Sequence, residues 1–469
     1  MRLVVVGNGM AGARLVEEVR ARDAGAEITV LGAETAQPYN RVLLSNVLAG
    51  TSRPGQVRLL DPSWYAEHGV TAVFGAEVTG IDRDARTVAT ADGRRVPYDV
   101  LALATGSEAV VPPIPGARDA FAFRTLDDCR RIIEAASAAR GAVVVGGGLL
   151  GVEAARGLAG RGLQVTLLHL AGHLMERQLD AEAGQLLGET LAGLGVRIRT
   201  GVQVAEVLPG PGGVRLADGE VVPGDLVVLA CGVRPLTGLA RDAGLKVERG
   251  VVVDDELRTS DPAVFAVGEC AEHDGNVYGL VAPAWEQAAV AAEVITGRAA
   301  RYRGSRLVTR LKARSVELAA MGETQVDESA DRTAEVVRFS HRARGTYRKL
   351  VIRDGRLVGA ILLGESPVVG TLTQLFDRGG QVPGDRAGLL FPGLAPAQQT
   401  DSPVRMPDSA RVCQCNNVTK GQIRACWEAG ARDIASVAAA TRATTGCGSC
   451  RDAVEGIVGW LCEQEGVSA

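Results

Sequence analysis

Two kinds of residue in this chain could do chemistry: glycines spaced to admit a phosphate and cysteines spaced to hold a metal. The first glycine run, Gly7-Asn8-Gly9-Met10-Ala11-Gly12, follows the apolar residues Leu3-Val4-Val5-Val6 and leads into an amphipathic stretch. In such a turn Gly7 permits the bend, Gly9 lets the backbone approach a pyrophosphate, and Gly12 lets a helix pack on its strand with its unpaired amides facing the phosphate. An acid about 20 positions on should hold a ribose; Glu34, beyond the apolar run Glu27–Leu31, stands there. The device recurs in Gly146-Gly147-Gly148-Leu149-Leu150-Gly151-Val152-Glu153, with Gln164–Leu168 as its second strand. Two copies in one chain imply two dinucleotides. After the second copy's strand comes His169, not an acid. A neutral imidazole repels a 2′-phosphate less than a carboxylate does, which admits NADPH, although no arginine adjoins His169 to pair the phosphate.

The chain has nine cysteines. Cys129, Cys231 and Cys270 stand alone, and the rest lie between Cys413 and Cys462. Such clustering is not a disulfide framework and points to metal or redox chemistry. Cys413-Gln414-Cys415 and Cys447-Gly448-Ser449-Cys450 flank candidate helices over 421–430 and 433–440. Four thiolates can hold zinc or an iron–sulfur cluster, and spacing alone leaves zinc open. Zinc ribbons usually pair two C-x-x-C knuckles across about 15 to 20 residues. A C-x-C with a helical insert fits that poorly, and a redox-inert ion gives no reason for fusion to a dinucleotide fold. A [2Fe–2S] cluster on Cys413, Cys415, Cys447 and Cys450 is therefore expected, with Cys426, Cys462, Cys231 and Cys270 as core residues.

The elements that must position these groups follow from patterning. Unalternated branched runs before each glycine turn predict strands covered on both faces, hence an α/β fold with two Rossmann-like dinucleotide domains. Residues Thr71 to Asp99 alternate like a small antiparallel sheet, with a hairpin at Ala91-Asp92-Gly93. Val100–Ala104 forms a further strand ending in Thr105-Gly106-Ser107, Pro112, Pro113 and Pro115 mark a domain crossing, and Val227–Pro235 marks the return. A strand ending in Gly268-Glu269 places an acid that could bond ribityl hydroxyls. The helix from Val281 would turn its positive end toward the pyrimidine edge of a flavin. The region 301–391 reads as an α+β domain with a hairpin at Asp354-Gly355, Pro392 to Pro407 as a linker, and the cysteine segment as a small helical domain. The predicted division is 1–112 with 236–300 as the first dinucleotide-binding domain, 113–235 as the second, 301–391, a linker over 392–409, and a cluster domain over 410–464.

At 469 residues, 23% charged and net −4, the composition gives no basis for a nucleic-acid or membrane partner. No apolar run reaches the roughly 18 residues that span a bilayer, and Met1 leads directly into the first strand. A cytoplasmic location is expected.

Together the Gly7–Gly12 turn, Pro38–Ser45, Ala104–Ser107, Gly146–Gly151, Leu174–Asp180, Val267–Cys270, Tyr278–Pro283, Val412–Cys415 and Thr445–Cys450 make the chain resemble the N-terminal part of the assimilatory NAD(P)H nitrite reductase large subunit and the electron-transfer subunits of assimilatory nitrate reductase. These are pyridine nucleotide-disulfide oxidoreductases of glutathione-reductase-like fold, with a terminal domain of the bacterioferritin-associated ferredoxin type. The resemblance implies FAD at Gly7, Gly9, Gly12, Glu34, Arg41, Thr105, Gly106, Gly268 and Glu269. It implies NADH or NADPH at Gly146, Gly148, Gly151, Glu153 and His169, with Glu153 near the nicotinamide. Arg41 and Lys312 are candidate flavin neighbours. The stretch Pro38–Leu48 lacks the redox cysteine of the disulfide reductases. The sequence ends at Ala469, without candidate ligands for the sirohaem half of the nitrite reductase subunit, and His169 departs from the expected acid. The expected function is an FAD oxidoreductase passing electrons from NAD(P)H through FAD and the cluster to a separate nitrate or nitrite reductase, as a possible homodimer. Alternatives are a reductase for another acceptor, such as a rubredoxin or oxygenase, and a non-catalytic redox or iron sensor.

Overall fold

The computed structural model describes the chain except residues 314, 330, 367, 392–405, 414–415, 417, 446–449 and 466–469. Two five-stranded parallel sheets form its centre. The first contains Arg2–Val6, Glu27–Gly32, Val70–Phe74, Val100–Leu103 and Val264–Ala266, with Arg2–Val6 in the middle. Its register sets Val6 opposite Leu31 on one side and Leu103 on the other. The second sheet has Gly141–Val145 in the middle, flanked by Gln164–Leu168 and Leu226–Leu229, with Val196–Arg199 and Phe121–Ala122 at the edges. Val145 sits opposite Leu168 and Leu229, so the two sheets repeat one plan. Val4, Val5, Val143 and Val144 are buried, as runs without polar alternation require when helices cover both faces.

One expectation is corrected here. The antiparallel pattern over Thr71–Asp99 holds for Val78–Asp82, Thr87–Thr90 and Arg95–Pro97, with the Gly93 amide closing the turn onto Thr90 O at 2.9 Å. Val70–Phe74 instead joins the first sheet, parallel to Glu27–Gly32. Alternation reports one covered face, and a parallel edge strand has that as readily as a hairpin arm. The two crossings pair with each other: Ser107–Ala109 runs antiparallel to Val233–Pro235.

Beyond the nucleotide folds, Val308–Ala313, Val316–Gly322, Glu335–His341, Thr346–Arg353 and Arg356–Leu363 form an antiparallel sheet. Its hairpin turns at Asp354 (φ +49°) and Gly355 (φ +69°), the left-handed pair a two-residue loop needs. One face buries Leu350, Ile352 and Leu362 with Leu372 and Phe376 of the helix Val369–Arg378. The other adds Leu318, Tyr347, Ile361 and Leu363 to the core of the second nucleotide fold.

The linker expected over 392–409 lies mostly outside the described residues. The terminal segment has the expected helices, Lys420–Glu428 and Ile434–Thr441, capped by Thr419 with Gln422 and by Asp433. A third, Arg451–Glu465, starts directly after Cys450. Ile423, Trp427, Val437, Val454, Ile457 and Cys462 form their core. This domain meets the first nucleotide fold through Arg442 with Glu17 at 2.6 Å and Arg411 with Glu286 at 2.5 Å. Among the described residues no helix is long and apolar enough to cross a membrane.

Candidate functional site

The two glycine turns have the shape a pyrophosphate requires. Gly7 adopts φ +106°, and a Cβ there would lie 2.2 Å from Ala104 O; Gly146 at φ +112° would meet Ala230 O at 2.3 Å. Gly12 and Gly151 let each helix approach its own turn, with imagined Cβ atoms 2.0 and 1.8 Å from the carbonyls of Gly7 and Gly146. Gly9 and Gly148 differ: a Cβ at either meets nothing within 4 Å. Each is the N-cap of a long helix, Met10–Arg22 or Leu149–Gly160, with no side-chain cap and no acid in the first turn. Open space and uncapped amides at a positive helix end fit an anionic phosphate.

In the first cleft the predicted residues gather in two groups. Glu34 accepts the Tyr39 hydroxyl at 2.7 Å and pairs with Arg41, whose guanidinium also reaches Arg124 O at 3.2 Å. Burial first, opposed by Arg41 and aided by Glu34, pushes the Tyr39 phenol up, so it stays a donor. Arg41 is thus held beside the acid predicted for the ribose. The second group is Glu269, which accepts Ser107 Oγ at 2.7 Å and pairs with Arg124. Sequence reading missed Arg124. Its signal was position, directly before the Thr125–Asp128 capping box that starts the helix Leu126–Ala138. Thr105 donates its hydroxyl to Leu236 O at 2.9 Å, and the Gly268 amide donates to Gln287 Oε1 at 2.7 Å, which fixes both turns. The helix Val281–Ile295 begins with no side-chain cap and no acid in its first turn, and Trp285 anchors it to Met10 O at 3.2 Å. Lys312 lies on the strand Val308–Ala313, but its side chain falls outside the described residues.

Cys270 is fully buried with its thiol directed at Leu103 O and Val267 O, and burial pushes its pKa up. It is a structural residue, not a reagent. Cys231 is half-buried, and burial raises its pKa as well.

In the second cleft Glu153 is 6% exposed and His169 is 8% exposed. The His169 ring accepts the Gly147 amide at Nδ1 (3.0 Å) and meets Glu176 at Nε2 (2.9 Å). In the terminal domain Cys413 and Cys450 are both buried. Cys450 Sγ accepts the Thr444 amide at 3.3 Å, the kind of bond that steadies a cluster-bound thiolate. These two fit a thiolate-ligated cluster. Cys415 and Cys447 lie outside the described residues, while Cys426 and Cys462 belong to the domain core.

Comparison with known proteins agrees with this geometry. Residues 1–293 match the family described as pyridine nucleotide-disulphide oxidoreductase, 308–378 the rubredoxin NAD+ reductase C-terminal domain, and 411–460 the BFD-like [2Fe-2S] binding domain. The chain is 40% identical over 465 residues to nitrite reductase [NAD(P)H] of Bacillus subtilis, covering 97% of this chain and 57% of that protein. It is 37% identical over 473 residues to the assimilatory nitrate reductase electron transfer subunit of the same organism, covering 99% and 60%. It therefore spans less than two thirds of these relatives. Among solved structures, the covalent putidaredoxin reductase–putidaredoxin complex superposes with a TM-score of 0.75 at 27% identity, over 84% of this chain and 99% of that one. FAD and a pyridine nucleotide are the cofactors of the paired nucleotide folds, and a [2Fe–2S] cluster that of the terminal domain. On the strength of a match that runs from its first strand through the helix before its third domain, the chain belongs to the pyridine nucleotide-disulphide oxidoreductase family.

Proposed function

We propose that this chain is an NAD(P)H oxidoreductase that passes electrons through FAD and a [2Fe–2S] cluster to a separate nitrate or nitrite reductase in nitrate assimilation. The observation that carries the reading is the docking of the terminal domain. Arg411, two residues from the buried Cys413, pairs with Glu286 on the helix whose uncapped start faces the first cleft. When bound, FAD trades electrons in pairs with a nicotinamide and singly with an iron–sulfur centre.

The chain's own residues then hold and orient rather than react. The amides behind Gly9 and Gly148 take the pyrophosphates, Glu34 with Tyr39 and Arg41 the first ribose, and Glu269 with Ser107 and Arg124 the ribityl end. Cys413, Cys415, Cys447 and Cys450 hold the cluster. Similarity to the Bacillus subtilis electron transfer subunit and to nitrite reductase supports the acceptor. Cysteines grouped for a cluster rather than for disulfides support a cytoplasmic setting. A chain ended after residue 391 should still reduce dyes with NAD(P)H and should fail to reduce the protein acceptor; undiminished transfer to that acceptor would overturn the relay.

A second reading, with a rubredoxin as acceptor, draws on the match of residues 308–378. The same assay with rubredoxin separates the two, since transfer that does not need the terminal domain favours the second.

A further inference from the structure

The second nucleotide site lacks an acid where the adenosine ribose is usually held, and the surrounding bonds show what replaces it. His169 follows the second strand directly, its ring 8% exposed. Gly147, inside the glycine turn, is tied on both sides. Its amide donates to His169 Nδ1 at 3.0 Å, and its carbonyl accepts the Met175 amide at 2.9 Å. A Cβ on Gly147 would lie 2.6 Å from both His169 Cγ and Leu174 Cδ2, so the segment Leu174–Met175 and the imidazole are pressed onto the turn. Because Nδ1 accepts, the ring proton sits on Nε2 and is donated to Glu176 at 2.9 Å. Neither ring nitrogen is left for a ribose hydroxyl. The Glu176 side chain is 39% exposed, and its backbone is braced by Gln325, which donates to Glu176 O at 3.0 Å and Leu179 O at 2.7 Å.

We propose that Glu176, carried at the tip of the His169 imidazole, is the carboxylate that receives the adenosine ribose hydroxyls, and that the chain therefore selects NADH over NADPH. The proposal rests on reading this fold as the pyridine-nucleotide site. A carboxylate accepts from both hydroxyls of a vicinal diol, and it repels a 2′-phosphate. His169 is a positioning residue. The nearby Arg199 is already paired with Glu220, and Arg177 is exposed.

Equilibrium binding of NAD+, NADP+ and ADP-ribose to the full flavin-loaded chain, followed by calorimetry, tests this. The wild type should bind NAD+ at least about tenfold more tightly than NADP+. Glu176→Gln should weaken NAD+ and ADP-ribose by about tenfold while leaving NADP+ unchanged or tighter. His169→Ala should lose discrimination in the same way, His169→Gln should recover part of it by restoring an N–H toward Glu176, and Arg177→Ala should keep the wild-type ratio. Binding of both nucleotides with a ratio unmoved in Glu176→Gln, or tighter NADP+ binding in the wild type, overturns the Glu176 assignment alone. Failure of the wild type to bind either nucleotide overturns the dinucleotide reading and this assignment with it.

Discussion

A single methyl group added at Gly148 and one added at Gly151 should have opposite consequences, although the two glycines serve one turn. Gly148 is extended (φ −76°, ψ −176°), and its Cβ would meet nothing. Gly148→Ala should therefore keep its thermal midpoint within about 2 °C and weaken nucleotide binding by about tenfold or more, because the methyl occupies the space of the pyrophosphate. Gly151→Ala would bring Cβ to 1.8 Å from a backbone carbonyl, which no rotamer relieves. It should cost more than about 2 kcal/mol in urea unfolding. Equal stability of the two variants would refute this division of roles. Both glycines were visible in the sequence as one motif, whereas which of them faces ligand and which faces protein depends on atoms contributed by Ala230 and Gly146.

The helix Ala181–Gly193 is fixed to the third domain by its own cap. Asp180 accepts the Ala183 amide at 3.0 Å through one oxygen, and through the other takes Tyr347 Oη at 2.7 Å and Lys349 Nζ at 2.8 Å. Burial pushes the Asp180 carboxyl up, but Lys349, the Ala183 amide and Tyr347 together outweigh it and leave the pKa below its ordinary value. A carboxyl depressed in the fold stabilises above its unfolded pKa of about 3.9, and that contribution is lost as pH falls through the lower folded value. The thermal midpoint of the wild type should thus drop more steeply below about pH 4 than that of Asp180→Asn, which starts lower at neutral pH. Lys349→Met, which strands the buried charge, should cost about 3–5 kcal/mol at pH 7. Parallel midpoint-against-pH curves for the wild type and Asp180→Asn would argue against the coupling. Nothing in the sequence signalled this pair: Asp180 and Lys349 stand 169 residues apart and meet only when the sheet lands on the helix.

At the scale of the molecule, the terminal domain rests on the helices Met10–Arg22 and Val281–Ile295. A cleft of about 360 Å³ remains between them, lined in part by Arg14, Trp285, Gln422 and Arg442. The ion pairs Arg442–Glu17 and Arg411–Glu286 bridge this partly open contact. Their side chains keep between 19% and 27% of their surface exposed, so both pairs stay within reach of solvent and salt. Glu17→Arg and Arg442→Glu should each slow bleaching of cluster absorbance after mixing with NADH, while the double reversal should restore at least about half of the lost rate. Salt above about 0.5 M should mimic the single variants by screening. Additive slowing in the double variant would show that this docked geometry is not the one that transfers electrons.

The sequence by itself determined the repeated strand, glycine turn and helix, the hairpin at Asp354-Gly355, and the cysteine spacing, because each is a local requirement of backbone conformation or ligand count. It also singled out Glu34 by its distance from the first turn. The tertiary structure alone decided the groupings. It set Val70–Phe74 in a parallel sheet, brought Arg124 from the second fold onto Glu269, and turned His169 inward to hold Glu176. Those outcomes depend on residues far apart in the chain, where periodicity carries no information and only the closing of the sheets decides which side chains meet.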